Sequence, residues 1–475
     1  MRKRSIFITL LVGCIMCAVP IHALKPSNPE KALRDSLPAN WQYTENLTQE
    51  MPQNDKWWTL FNDATLNSLI EEGVERNFNV LMAMRRINVA KQALNSAYSG
   101  YFPSFDLSAG WQKLRNSGAL TKDVGPATTM DYFSLGINMN WELDVFGKIT
   151  AKAKQAKAGY NATRAEYAAV MTSLCANIAS SYITLRTYQA EWAVATEHIA
   201  SQEKIVKITE ARKDAGLASM LDVAQAKVVF NSTKATMPVL EGSIRSTINA
   251  LAILVGTYPE NIRGLLSEAA PLPEYHHLVP TGIPMELLRR RPDIVEAEFQ
   301  LASDAAAVGI AKKDFLPTLS LSGSIGTSAR SIDNLFSKNS FTYSIAPTLS
   351  WTIFDGLSRK YNLASAKETM EIGIDNYNLV VMTAVEEVDN AIIAYQSRLK
   401  AIDVINEVIE QSRRSLTLSV DQYKQGISPF NNVVTAQLDL LQYQNTLVQS
   451  QGQALTALVQ LYQALGGGWS IDNLD

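Results

Sequence analysis

The residues that could act as nucleophiles or metal ligands are few and widely spaced. Cys175 is the only cysteine after the first 23 residues, so no intramolecular disulfide can form beyond that point. His198, His276 and His277 show no metal-ligand spacing with cysteines or acidic residues. The sequence contains no nucleophile elbow, phosphate loop or dinucleotide fingerprint. We therefore predict a protein that is not an enzyme and has no cofactor and no metal site.

The other two cysteines, Cys14 and Cys17, lie in the N-terminal segment, which has the pattern of a secretory signal. Three basic residues at positions 2–4 precede an apolar stretch over residues 5–21. Cleavage after Ala23 would give a signal peptide of residues 1–23. Alternatively, the sequence Leu-Val-Gly-Cys ending at Cys14 resembles a bacterial lipobox, which would place a lipid on Cys14. The apolar stretch continues past Cys14, which favours cleavage after Ala23, and both processing routes remain open.

Composition restricts the classes of partner. The chain has 475 residues and a formal net charge of −3, so no basic excess points to a nucleic acid partner. After the first 25 positions no apolar run approaches the roughly 20 residues of a transmembrane helix. Insertion into a membrane would therefore have to use strands.

A long alternating segment over residues 133–145 supports that route. Phe133, Ile137 and Trp141 belong to an apolar set at odd positions, and polar residues or glycine fill the even positions. Successive side chains of a strand point to opposite faces, so this pattern predicts one apolar and one polar face. Its 13 residues exceed the usual five or six of a soluble strand and suit a membrane barrel.

The chain contains a second copy of the same pattern. Trp351 follows Trp141 by 210 residues, and the same offset separates Gly216 from Gly426. Gly256 and Gly466 are also 210 residues apart. A constant offset predicts an internal duplication. We expect a first repeat over residues 24–272 and a second over 273–475.

Each repeat is expected to contain a helix, a β-hairpin and a long helical hairpin. Few prolines or glycines interrupt the long helical segments, and Gly216 and Gly426 mark tight reversals. The predicted hairpins are β-hairpins at 102–146 and 317–355, and helical hairpins at 147–255 and 356–466. The expected preceding helices span 64–99 and 285–314.

Four membrane strands in one chain cannot close a barrel, and open strand edges are not tolerated in lipid. Closure requires a cyclic oligomer, and three chains would supply twelve strands, enough for a water-filled lumen. Helices about 100 Å long could also bury their apolar stripes by packing side by side in the same ring. A soluble coiled-coil scaffold without a pore is the alternative.

Several segments beyond residue 55 resemble the TolC-like outer-membrane factors, in particular the branch that serves resistance–nodulation–division efflux pumps. The similarity covers nearly all of the remaining chain, with the segments in the family's order. They are Trp57-Trp58 with Phe61 and Leu66, Tyr101-Phe102-Pro103, Trp141-Glu142-Leu143-Asp144-Val145-Phe146-Gly147-Lys148, Arg290-Arg291-Pro292-Asp293-Ile294 with Ala297-Glu298, Asp314-Phe315-Leu316-Pro317, and Phe354-Asp355-Gly356.

The resemblance implies an α+β membrane protein: a trimeric twelve-strand β-barrel with four strands per chain, continued by a long α-helical coiled-coil barrel. The homotrimer would sit among the lipids of the outer membrane of a Gram-negative cell, with a long periplasmic extension. Its implied role is the exit duct of a tripartite efflux pump that passively conducts small molecules, together with a periplasmic adaptor and an inner-membrane pump. A type I secretion duct is the alternative.

The resemblance also implies a periplasmic gate just past the helix reversals. Asp222 lies in a matching Leu-Asp-Val segment, where three carboxylates would ring a narrow pore and attract cations. A dipole-stabilising acid at a helix N-terminus is the alternative role for Asp222. The matching positions of the second repeat are Asn432 and Thr435, so a second acidic ring is missing. The reversals at Gly216 and Gly426 would face the adaptor.

Overall fold

The structure is a computed structural model and describes residues 41, 47–48, 56–117, 127–275, 279–282, 284 and 290–467. Long helices and one sheet dominate this part of the chain. The α-helices of the described residues are α1 Ala64–Arg76, α2 Phe78–Ser99, α3 Lys148–Asp214, α4 Met220–Val255, α5 Pro259–Leu266, α6 Pro292–Lys313, α7 Ser358–Lys424 and α8 Phe430–Ala464. Three short 3₁₀ turns lie at Trp57–Phe61, Ile332–Asn334 and Lys338–Ser340.

Four long strands form one antiparallel sheet in chain order. They are β1 Ser104–Asn116, β2 Thr128–Leu143, β3 Thr318–Ala329 and β4 Phe341–Ser350. β2 pairs with β3 from Leu143 opposite Leu319 to Phe133 opposite Ala329, which joins the hairpins of the two repeats. β1 and β4 therefore remain the outer edges of the sheet within one chain. A separate two-residue parallel pairing joins Leu47–Thr48 to Val279–Pro280.

The register places odd-numbered residues of all four strands on one face. Leu107 lies opposite Ile137, which lies opposite Ile325, and Ile325 lies opposite Tyr343. The even-numbered face carries mostly small or neutral polar side chains, such as Ser108, which accepts a 2.9 Å hydrogen bond from Asn138 Nδ2. The sheet thus has one apolar and one polar face, as the alternation predicts.

The long helices form two antiparallel hairpins, α3 with α4 and α7 with α8. α3 and α7 each have 67 residues, or about 100 Å at 1.5 Å per residue. Among the described helices, α3 is the one whose length and composition would allow a membrane span. More than half of its most apolar window is buried inside the protein, as in a core helix. α4 contains Pro238 and continues past it to Val255.

The first helix is broken where the sequence predicts one helix over 64–99. Asn77 has extended backbone angles, and its side chain accepts hydrogen bonds from the backbone N–H groups of Asn79 and Val80. Its Nδ2 also donates to the Leu254 carbonyl at 2.8 Å. The prediction was wrong at this point because a tertiary contact with the end of α4 fixes the break. The local sequence contains no proline that would signal it.

Strand bounds also differ in detail. β2 ends at Leu143, three residues before the predicted end of the first β-hairpin, and β4 ends at Ser350, five residues before the predicted end of the second. Residues 285–289 of the helix expected at 285–314 lie outside the described residues. In the described part, α6 begins only at Pro292, because Arg291 has an extended backbone, and it ends at Lys313. The signal segment and Cys14 also lie outside them.

An aromatic cluster closes the core where the repeats meet. Trp57 stacks on Tyr462 with ring centroids 5.3 Å apart, and the Tyr462 and Tyr275 hydroxyls are 2.8 Å apart. Burial raises the pKa of the Tyr275 phenol, which stays protonated at neutral pH. Phe61 lies against the Tyr275 ring at 5.7 Å. This cluster connects the segment before α1 to the end of α8.

Candidate gate at the helix reversals

The two reversals have the same backbone geometry. Gly216 and Gly426 have φ angles of 72° and 75°, in the left-handed region that glycine adopts readily. Leu217 N–H donates to the Arg212 carbonyl at 2.8 Å, and Ile427 N–H donates to the Gln422 carbonyl at 2.9 Å. These are Schellman-type helix ends. The spacing of 210 residues therefore corresponds to two equivalent turns.

An apolar cluster joins the two helical hairpins next to these reversals. Ile205 and Ala226 of the first hairpin pack with Tyr423, Phe430 and Val433 of the second, and all five are buried. The rings of Tyr423 and Phe430 are 5.0 Å apart, at an angle of 60°. The ends of the hairpins are therefore held together by burial within one chain.

Arg212 adds a polar link between the same two hairpins. Its Nη1 donates to the Lys424 carbonyl at 2.6 Å, and Nη2 donates to the Leu217 carbonyl at 3.4 Å. Its guanidinium lies 4.9 Å from the centroid of the Tyr423 ring, a cation–π distance. One side chain from the end of α3 thus contacts both reversals.

Asp222 completes the link from the start of α4. Its carboxylate accepts a 3.4 Å hydrogen bond from the Tyr423 hydroxyl. It also accepts one from Ser219 N–H at 3.3 Å, and Ser219 Oγ accepts one from Asp222 N–H at 3.2 Å, which makes a capping box. Burial and the charge of Asp222 raise the pKa of Tyr423, although Arg212 lowers it, so the hydroxyl remains a donor at neutral pH.

The second-repeat positions are arranged differently. Asn432 and Thr435 lie in the first turns of α8 and are exposed. Asn432 Nδ2 donates to Ser428 Oγ at 2.7 Å, a contact within its own reversal. No hydrogen bond between Asp222 and either residue is found in the described part of the chain. The structure therefore groups Asp222 with Arg212 and Tyr423.

Sequence reasoning missed Arg212 and Tyr423. A signal was present, because Arg212 precedes Gly216 by four residues and Tyr423 precedes Gly426 by three. Both residue types can extend across a helix end to a neighbouring helix. Their meeting depends on how the hairpins pack, which the sequence pattern does not give. Within the described ranges, no group of three or more His, Cys, Asp or Glu side chains could hold a metal ion.

The exposed surface beyond the reversals is apolar. Leu217, Met220 and Leu221 are 66%, 67% and 64% exposed at the first reversal, and Ile427 is 70% exposed at the second. We call these four residues the tip surface. Large apolar side chains that remain this exposed commonly mark a contact surface for another protein.

The fold and this arrangement can be compared with known proteins. The family model described as "Outer membrane efflux protein" matches residues 69–257 and again 283–467. The solvent efflux pump outer membrane protein SrpC of Pseudomonas putida is 30% identical over 416 residues, which cover 86% of this chain and 87% of SrpC. The cation efflux system protein CusC of Escherichia coli O6:H1 is 27% identical over 465 residues, 97% of this chain and 98% of CusC.

A solved structure agrees in fold over most of the chain. The outer-membrane channel OprN superposes with a TM-score of 0.85 at 29% identity, and covers 91% of this chain and 97% of OprN. The four strands are accordingly one third of a trimeric twelve-strand barrel in the outer membrane of a Gram-negative cell. The helical hairpins form its periplasmic extension. The chain belongs to the outer membrane efflux protein family and forms an outer-membrane exit duct for efflux.

Proposed function

We propose that the duct is closed at its periplasmic end by a latch made of Arg212, Tyr423 and Asp222. The observation that carries this proposal is the hydrogen bond from the Tyr423 hydroxyl to Asp222, beside the Arg212 contact with the Lys424 carbonyl. Both contacts run between the α3–α4 hairpin and the α7–α8 hairpin. Widening the aperture requires these hairpins to separate, so the latch opposes opening.

The latch assigns Asp222 two roles. Its capping box stabilises the start of α4, and its link to Tyr423 holds the second hairpin. Three copies of Asp222 in a trimer would also bring negative charge to the aperture and attract cations. Asn432 and Thr435 would line the same aperture from the second repeat as neutral polar groups.

The partners follow from the position of the tip surface. In a homotrimer, the three copies of the tip surface would form an apolar ring at the periplasmic end. A periplasmic adaptor with exposed apolar side chains at its own tip would fit this apolar ring. The adaptor would connect the duct to an inner-membrane resistance–nodulation–division pump. The barrel would contact membrane lipid, and no nucleic acid partner is proposed.

The proposed cargo is small organic molecules. SrpC is named for solvent efflux and CusC for cation efflux, so relatives with either kind of cargo share this fold. The polar face of the sheet carries mainly serine, threonine, asparagine and glycine, which offer no specific ligands for soft metal ions. The 13 methionines are scattered along the chain and form no stripe. Passive passage of organic solutes fits this surface.

Single-channel conductance of the purified trimer in planar bilayers tests the latch. Tyr423→Phe removes the hydroxyl and keeps the buried ring. A net hydrogen bond contributes roughly 1 kcal/mol, which corresponds to about a fivefold to tenfold rise in the ratio of open to closed time. Arg212→Ala should open the duct further, because it removes contacts to both reversals. Tyr443→Phe on α8 is the matched control, since Tyr443 is exposed and distant from the reversals in sequence.

The outcomes separate the latch from the duct. Increased opening in Tyr423→Phe with no change in Tyr443→Phe supports the latch. Equal currents in all variants would contradict the latch and leave the duct intact. If Asp222→Ala alters ion selectivity while Tyr423→Phe has no effect, Asp222 acts as a charged ring without a latch. A small-molecule accumulation assay in cells that express each variant tests the cargo class.

A further inference from the structure

The two boundaries of the membrane can be located on the apolar face of the sheet. At the end next to the helices, Trp141 Nε1 donates to the Tyr101 carbonyl at 3.0 Å and Trp351 Nε1 donates to the Phe315 carbonyl at 3.0 Å. These equivalent contacts place both indoles at the same level, where aromatic residues mark a membrane boundary. The opposite end of the sheet carries the hairpin connections and faces the exterior.

Distance along the strand locates the outer boundary. Asp131 on β2 lies ten residues from Trp141 on the same face. At roughly 3.4 Å per residue and a strand tilt of about 40°, this is about 26 Å of height. The apolar band of a membrane barrel is about 25 Å tall. Asp131 and its cross-strand neighbours therefore lie at the level of the outer headgroups.

Two basic side chains extend from the lipid-facing side of β1 at this level. Lys113 lies directly opposite Asp131, and Arg115 lies opposite Thr129, about 5 Å farther out. Lys113 is 58% exposed, and its Nζ is 3.9 Å from the Asp131 carboxylate. Asp131 also accepts a 3.2 Å hydrogen bond from the Trp111 indole. We call Trp111, Lys113, Arg115 and Asp131 the rim cluster.

The rim cluster combines apolar contact with a net positive charge. Trp111 is 62% exposed and lies below the two cations on the same face. Lys113 and Arg115 outnumber the single carboxylate of Asp131, which already accepts from Trp111. Arginine and lysine bind phosphate oxygens through charge-assisted hydrogen bonds. An acyl chain beside Trp111 and a phosphate above it would match this surface in both shape and charge.

We propose that the rim cluster binds the phosphorylated glycolipid of the outer leaflet, with Lys113 and Arg115 on its phosphates and Trp111 against its acyl chains. In the trimer this gives three equivalent sites around the barrel. The site lies on the outer surface of the barrel and is separate from the conduction path.

Native mass spectrometry of the detergent-solubilised trimer tests this site with bisphosphorylated lipid A as the probe. The variant Lys113→Gln/Arg115→Gln should bind lipid A roughly thirtyfold more weakly, because two phosphate contacts are lost. Arg85→Gln/Lys91→Gln is the matched control, since both residues are exposed on α2 and carry the same charges. Each variant is first checked for a heat-resistant trimer, so that misfolding is not taken for lost binding.

Two further probes identify the ligand. Dephosphorylated lipid A should bind wild type about as weakly as lipid A binds the rim variant. Phosphatidylglycerol tests whether any anionic lipid suffices. Equal lipid A affinity in wild type and the rim variant would overturn the proposal. If the rim variant loses affinity for phosphatidylglycerol by the same factor as for lipid A, the glycolipid assignment would be overturned in favour of a general anionic lipid surface.

Discussion

At the scale of single residues, function depends on side chains that connect different parts of the chain. Asp222 is a local capping residue by its bonds to Ser219 and a long-range acceptor by its bond to Tyr423, 201 positions away. Only the first role can be predicted from neighbouring residues, because a serine followed three positions later by an acid is a capping pattern. The second role exists because two hairpins meet.

Asp144 shows how one carboxylate joins the sheet to the helices. Its oxygens accept hydrogen bonds from Ile149 N–H at 2.8 Å, Thr150 N–H at 2.9 Å and Thr150 Oγ1 at 2.6 Å. Partial burial raises the pKa of Asp144. Together, these hydrogen bonds and the charge of Lys313 lower the pKa by more than burial raises it, so it lies below its usual value. The carboxylate therefore caps the start of α3 just after β2 ends.

We predict that Asp144→Asn lowers stability by about 1 kcal/mol at neutral pH, as loss of a helix cap does. Because the folded pKa is lowered, the stabilisation is present above the ordinary pKa of aspartate and is lost as pH falls through the folded value. Thermal unfolding in detergent at pH 7 and at pH 3 measures this difference.

The exposed Asp375→Asn on α7 is the control for that change and should have little effect at either pH. A deficit in Asp144→Asn that is the same at both pH values would show that shape, and not ionisation, accounts for the contribution of Asp144.

At the scale of elements, the reversals are defined by backbone conformation. Gly216 has a φ of 72° with no atom within 4 Å of an added Cβ. An alanine side chain would therefore meet no neighbouring atom, but its left-handed backbone conformation would be unfavourable. Gly159 in the middle of α3 also has open space around it and has an ordinary helical conformation. The two glycines therefore differ in backbone conformation and not in the space available to a side chain.

We predict opposite effects of the same substitution at these two glycines. Gly159→Ala should stabilise the protein by about 0.5–1 kcal/mol, because alanine loses less backbone entropy in a helix. Gly216→Ala should destabilise it by about 1 kcal/mol, because a left-handed conformation is unfavourable for alanine. Thermal unfolding followed by circular dichroism at 222 nm measures both. Destabilisation by Gly159→Ala would point to a contact between chains at that position.

At the scale of the whole molecule, the sheet is incomplete in one chain. β1 and β4 have no outer partners within the described residues of the chain, and every residue of β4 is exposed. A trimer joins these edges into a closed barrel of twelve strands. Closure satisfies the backbone groups of both edges, which lipid cannot do.

We predict that neighbouring positions of β4 differ sharply in their tolerance of charge. Ile345 lies six residues from Trp351, about 16 Å above it and near the middle of the membrane. Ile345→Lys should cost about 2–4 kcal/mol because the ammonium would face lipid. Ala346→Lys faces the lumen and should be tolerated.

The yield of heat-resistant trimer inserted into the outer membrane compares the two variants. Equal yields would contradict the assignment of odd-numbered residues to the lipid face. A loss of trimer confined to Ala346→Lys would show that the even-numbered residues face the lipid and the odd-numbered residues face the lumen.

The sequence by itself determined the strands, the long helical hairpins, the duplication and the need for several chains. These depend on periodicity and on residue types that act locally, such as the 13-residue alternation around Trp141 and the glycines at the reversals. Tertiary structure decided the break at Asn77, the meeting of Arg212, Tyr423 and Asp222, and the register that places Lys113 opposite Asp131. Each of these depends on contacts or register between segments distant in sequence, and local patterns do not specify which distant residues will face one another.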